Sequence, residues 1–149
     1  MIDLSLKILK KIEKEGEVKL SVISSLLPKI YGDHRDFYPF ASLITQGLVE
    51  DSLVKKDEPD KNPEYTSLKL QVLAWKLFAT SSGDYKATYK GVTWSCKEKL
   101  SDHLYSLTGK GYLYLNEDRS KKFEKRFTFL IAIFSAIFAS TVTYFLGKI

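Results

Sequence analysis

Leu104-Tyr-Ser-Leu-Thr-Gly-Lys-Gly-Tyr-Leu-Tyr-Leu115 is the stretch on which the fold turns. Leu104 to Leu107 suits a short strand, and Thr108 stands where a hydroxyl caps the first turn of a helix. Gly111 has no side chain to keep that helix away from a sheet, and Leu107 and Leu115 are expected to fill a core beside it. The spacing therefore predicts a strand that passes directly into a helix.

Towards the C-terminus the helix becomes basic and then apolar. Arg119, Lys121, Lys122, Lys125 and Arg126 precede a run from Phe127 to Gly147 without Asp, Glu, Lys, Arg, His, Asn, Gln or Pro. As a helix this run is about 32 Å long, so it is expected to span a membrane over 127–147. Only Lys148 follows it, and the positive-inside rule then places the N-terminal portion in the cytoplasm, as a single-pass protein of the inner membrane. The basic segment 119–126 is expected to sit on anionic lipid headgroups. Within the run, Ala132, Ala136 and Ser140, and likewise Ser135, Ala139 and Thr143, recur every four residues. Such rows let helices approach one another, so they are expected to mediate self-association.

Towards the N-terminus, Leu4, Ile8, Leu9 and Ile12 define a helix that ends at Gly16. A second helix is expected over 20–30, shortened by Pro28, and a third over 35–46, before a strand-like Leu48–Val54. The polar run 55–64 holds Pro59 and Pro63 and reads as a loop. Tyr65 to Leu70 is compatible with a strand and Gln71 to Ala79 with a helix. Tyr85 to Cys96 alternates as two strands about a turn at Lys90-Gly91.

Tyr105, Leu107, Thr108, Gly111 and Leu115 match a Tyr-x-Leu-Thr-x-x-Gly-x-x-x-Leu pattern. Together with three short helices and a Gly-Leu-Val strand, this resembles prokaryotic winged helix-turn-helix domains. The resemblance implies an α+β, winged-helix-like domain over 1–118, with about sixty residues between third helix and motif and hence an insertion near 55–100. The whole layout, cytoplasmic domain plus C-terminal anchor, is similar to small membrane effectors of prokaryotic antiphage and toxin systems.

The net charge of +5 invites a nucleic-acid reading but argues only for non-specific attraction to phosphate. The candidate recognition segment, Asp33 to Gln46, has one Arg, no Lys, two Asp and a Pro, which makes it a poor groove reader. Lys55, Lys56, Lys86, Lys90, Lys97, Lys99 and Lys110 form at most a basic face. DNA is therefore a possible partner but not the favoured one.

Catalysis has few parts to draw on. There are two histidines and one cysteine, so a thiol site would have to join Cys96 to His103, with Asp102 to orient the imidazole. A half-buried, inert Cys96 is the ordinary alternative. Gly109-Lys-Gly111 lacks phosphate-loop spacing, and no cluster has metal-ligand spacing. No catalytic residue, cofactor or metal is expected. A single cysteine and the lack of an Asn-x-Ser/Thr site agree with a reducing cytosol, and the opening residues are expected to carry no cleavable signal peptide.

Tyr31, Phe37, Tyr38 and Phe40 gather around the third helix, and surface aromatics anchor interfaces. They are the expected docking residues for a cytosolic protein partner. The expectation is a non-enzymatic, membrane-anchored adaptor or effector that docks such a partner and perturbs the membrane on clustering. The alternative is a membrane-tethered winged-helix transcriptional regulator.

Overall fold

The computed structural model describes the backbone of residues 4–51 and 65–146 and the side chains of 4–51 and 69–138. The chain divides into two units, Met1–Leu113 and Tyr114–Ile149.

In the first unit, α1 (Leu4–Glu15) buries Ile8, Leu9 and Ile12 and turns its lysines outward, Lys11 pairing with Glu15 at 2.6 Å. Gly16 ends it with φ of 80°, a conformation glycine adopts without strain. The strand β1 (Glu17–Lys19) buries only Val18 and leads into α2 (Leu20–Leu26), which buries Leu20 and Ile23. That helix stops early because Leu27 precedes Pro28 and is held extended, with ψ of 136°. A 3-10 turn, His34–Phe37, delivers the chain into α3 (Tyr38–Thr45), which carries Pro39 in its first turn. β2 (Val49–Asp51) follows.

The helix α4 (Tyr65–Ser81) is continuous, so the strand considered for Tyr65 to Leu70 is not formed. β3 (Lys86–Tyr89) and β4 (Val92–Ser95) pair antiparallel about Lys90 and Gly91, whose φ values of 49° and 80° suit a tight two-residue hairpin. After a 3-10 turn at Leu100–Asp102 come β5 (Leu104–Leu107) and α5 (Gly109–Leu146).

β5 is the central strand of a three-stranded sheet, β1-β5-β2, with both neighbours antiparallel. Val18 lies opposite Tyr105 on one side and Asp51 opposite Tyr105 on the other. Tyr105 and Leu107 point inward, and the Tyr105 ring meets Phe40 edge-on at 5.1 Å. Burial, with the nearby Asp51 carboxylate, pushes the Tyr105 hydroxyl's pKa well up. Leu115 is buried as well.

The junction of β5 with α5 is clasped to the turn before β2. The Thr108 hydroxyl accepts the Gly111 N–H at 3.1 Å, capping the helix, and donates to the Gly47 carbonyl at 2.6 Å. The Thr108 N–H donates to the Leu48 carbonyl at 3.1 Å, and Lys110 Nζ reaches the Gln46 carbonyl at 2.7 Å.

Two expectations are corrected. No winged helix is confirmed: the fold is a mixed α+β arrangement of helices with two small sheets. Between β2 and β5, where the resemblance placed an insertion near 55–100, lie α4, packed on α3, and a separate β3–β4 sheet. Nor is the membrane anchor shown. Among the described residues no helix is long and apolar enough to cross a membrane. A single-pass inner-membrane protein with an N-terminal cytoplasmic domain is therefore not supported, and the likeness to anchored membrane effectors falls with it.

Candidate functional site: the loop closed on Asp36

Between α2 and the 3-10 turn the chain wraps around one of its own carboxylates. Asp36 is buried, and its Oδ1 accepts the N–H groups of Ile30 at 3.1 Å and Tyr31 at 3.0 Å. Its Oδ2 accepts the Gly32 N–H at 2.8 Å. Three successive amides converging on one anion form a nest, and Gly32, with φ of 69°, lets the backbone curl far enough to make it.

A second clasp lies beside the first. Asp33 Oδ1 accepts the Arg35 backbone N–H at 2.8 Å, and both carboxylate oxygens take the Arg35 guanidinium at 2.9–3.0 Å. These bonds, the side-chain one foremost, hold the Asp33 carboxyl down to about 2 and raise the pKa of Arg35. The guanidinium also lies 4.3 Å from the Tyr31 ring centre. The consequence is an apolar pair on display: Ile30 is 72% exposed and Tyr31 57%, on a backbone fixed by Asp36 and a ring covered on one face by Arg35.

The loop borders a cleft of about 330 Å³ whose apolar walls are Leu27, Phe37 and Phe78, the two rings meeting edge-on at 6.1 Å. Ser24, Lys29, Asp33, Asp36, Ser81 and Ser82 give its polar edge. An apolar floor with a polar rim is the usual make-up of a site that receives a side chain.

The expected docking cluster is thus divided. Tyr31 is exposed in the loop, Tyr38 is half-buried with its ring edge-on to His34 at 5.9 Å, and Phe37 and Phe40 are core. Ile30 and Asp36 were not among the expected site residues. The signal for them is a Gly-containing turn followed within four residues by an aspartate able to collect its amides.

His34 is buried in an aromatic cage of Tyr38, Trp75 and Tyr89, and its Nδ1 lies 3.1 Å from the Tyr89 hydroxyl. Lys90 lies 5.1 Å from the Trp75 ring centre. Cys96 and His103 are not brought into a pair: His103 Nδ1 faces Asp51 at 3.5 Å, Asp102 pairs with Lys19 at 3.2 Å, and Cys96 is a free, half-buried thiol. Among the described residues no group of three or more His, Cys, Asp and Glu could hold a metal.

The basic residues divide similarly. Arg35 is tied to Asp33, Lys99 pairs with Asp84 at 3.0 Å, and Lys110 serves the clasp at Gln46. Lys55 and Lys56 lie outside the described residues. On α5, Arg119 bonds Asn116 at 3.5 Å, Lys121 pairs with Glu117 at 3.6 Å and Lys122 with Asp118. Lys125 and Arg126 are exposed on the same helix. Ala132, Ser135 and Ala136 are exposed on α5, whereas the side chains of Ala139, Ser140 and Thr143 lie outside the described ones.

Compared with known proteins, the chain matches no protein family, no characterised protein and no solved structure. Its function has to be argued from its own surface.

Proposed function

We propose that this chain is a non-enzymatic docking module, and that a protein partner engages the Ile30–Tyr31 loop and the cleft beside it. The single observation that carries this reading is the exposed apolar pair on a backbone fixed by three amide bonds to Asp36. A solvent-exposed isoleucine gains nothing in the isolated molecule. Ordering it in advance lowers what a partner must spend in entropy on binding. The Leu27–Phe37–Phe78 walls suit one apolar side chain of the partner, and Lys29 with the serines suits backbone carbonyls around it. This retains the docking half of the expected function; the membrane-perturbing half depended on the 127–147 span and is not carried forward.

Selection of a random peptide library against the full chain tests the reading. Enriched peptides should share one apolar anchor, and Ile30→Ser or Tyr31→Ser should weaken their binding by about tenfold or more, as loss of a buried anchor does. Both residues are exposed, so neither change should lower the melting temperature. Peptides that bind both variants as tightly as the parent chain would place docking elsewhere.

A further inference from the structure

The second unit carries a surface that the docking loop does not account for. Along α5, the positions Asn116, Ser120, Phe123, Phe127, Leu130, Phe134 and Ile137 follow one another in alternating steps of four and three residues. That alternation keeps one seam facing a neighbouring helix as the two supercoil. From Phe123 onward the seam is entirely apolar, and its members are 70%, 55%, 51%, 68% and 58% exposed. Phe123 and Phe127 are already stacked, at 6.2 Å with planes 10° apart.

We infer that α5 pairs with α5 of further copies of this chain, as a parallel, in-register coiled coil along the Phe123–Phe127–Leu130–Phe134–Ile137 seam. Three observations select this occupant.

The first is charge. In a parallel coiled coil, a residue just before one seam position faces, on the neighbouring helix, the residue five places further on. Arg119 precedes the seam residue Ser120, and the residue five places on is Glu124, which follows the seam residue Phe123. One sequence therefore supplies both halves of an Arg119–Glu124 pair, and symmetry repeats it on the other side. An antiparallel arrangement brings arginine flanks towards each other and glutamate flanks towards each other, so the charges favour the parallel one.

The second is area. With about 150–250 Å² per aromatic side chain, the exposed parts of the three phenylalanines, with Leu130 and Ile137, come to about 600 Å² per copy. Two copies reach about 1,200 Å², where stable interfaces begin. The third is the flanks further on. Ile131 and Phe138, on the side of Glu124, and Ile133, on the side of Arg126, are exposed and apolar, so they widen the seam beyond its charged start. The assembly also carries more than one copy of the Ile30–Tyr31 loop, which makes the module multivalent towards a partner.

Sedimentation velocity of the full chain at micromolar concentration should give a discrete species at an integral multiple of 17.1 kDa. Arg119→Glu sets like charges face to face and should weaken assembly by about tenfold or more. Adding Glu124→Arg should restore it, which general stickiness would not do. With Cys96→Ser, a Ser120→Cys chain should form an interchain disulfide under mild oxidation, because only parallel register brings the two positions together. A monomer at every concentration would overturn the inference. So would a polydisperse aggregate indifferent to the charge exchange, or assembly without the Ser120→Cys crosslink.

Discussion

Gly111 in the first turn of α5 lies so close to the carbonyl oxygen of Leu48 that a Cβ at that position would overlap it. The obstacle is backbone, and that oxygen already accepts the Thr108 N–H, so it cannot swing aside as a side-chain tip would. Gly111→Ala should therefore destabilise the fold by about 1–3 kcal/mol, as overpacking does. In a thermal melt of a chain of this length that corresponds to a fall of roughly 2–4 °C per kcal/mol. Gly109→Ala is the internal control, because nothing lies within 4 Å of its added carbon. Equal melting temperatures for the two variants would show that helix and turn are not in close contact.

Thr108 holds the same junction by hydrogen bonds. Its hydroxyl is both acceptor from Gly111 and donor to the Gly47 carbonyl, so Thr108→Ala removes the helix cap and a tertiary bond together. The expected loss is about 0.5–2 kcal/mol. Thr108→Ser keeps the oxygen and should recover most of it. Denaturant titration of the three chains gives the comparison, and an Ala variant as stable as the Ser one would count against the cap.

That junction shows what was legible in the sequence and what was not. Thr108 as a cap, Gly111 as a point of close approach and Leu107 as a core residue are local readings, and each depends on neighbours a few positions away. The two-residue turn at Lys90-Gly91 and the end of α1 at Gly16 were legible for the same reason. The family resemblance was a different kind of step. It placed a wing with an insertion near 55–100 between β2 and β5, and local pattern, which reads the Lys90-Gly91 hairpin, does not say how that hairpin and α4 pack. The apolar run at the end of the chain was legible as composition, but among the described residues no helix is long and apolar enough to cross a membrane. The docking cluster is divided by burial, with Tyr31 exposed, Tyr38 half-buried and Phe37 and Phe40 in the core. Four aromatics close in sequence do not reveal which face is covered, and Phe37 and Phe40 are covered by tertiary contacts that no spacing encodes. Asp36 was missed because its role is to collect Ile30, Tyr31 and Gly32 amides, a use of a carboxylate that composition treats as solvated charge.

Asp36 is the residue whose loss should change the loop without emptying the core. Asp36→Ala leaves three amides to water in place of a charged acceptor, at a cost of about 1–3 kcal/mol. Asp36→Asn keeps one acceptor oxygen and should fall between. Amide hydrogen exchange reads the effect locally: Ile30, Tyr31 and Gly32 should lose protection, while the α1 amides keep theirs. Unchanged exchange at those three amides would mean that the carboxylate does not hold the loop.

His34 should make stability depend on pH below neutrality. Burial among Tyr38, Trp75 and Tyr89 is the main cause that lowers its pKa from 6.5, with Lys90 and Arg35 acting the same way and Asp33 opposing them. The folded protein thus keeps His34 neutral at pH values where the unfolded chain protonates it. Where the unfolded state binds more protons, stability rises with pH. The contribution is therefore complete above 6.5 and is lost as pH falls from there towards the lowered folded value. His34→Gln keeps a hydrogen-bonding group near the Tyr89 hydroxyl but cannot titrate. Its unfolding midpoint should be flatter than that of the parent chain across this window. If both chains lose stability equally as the pH falls, the dependence belongs to other groups, and the imidazole in the aromatic cage is protonated in the fold at no cost.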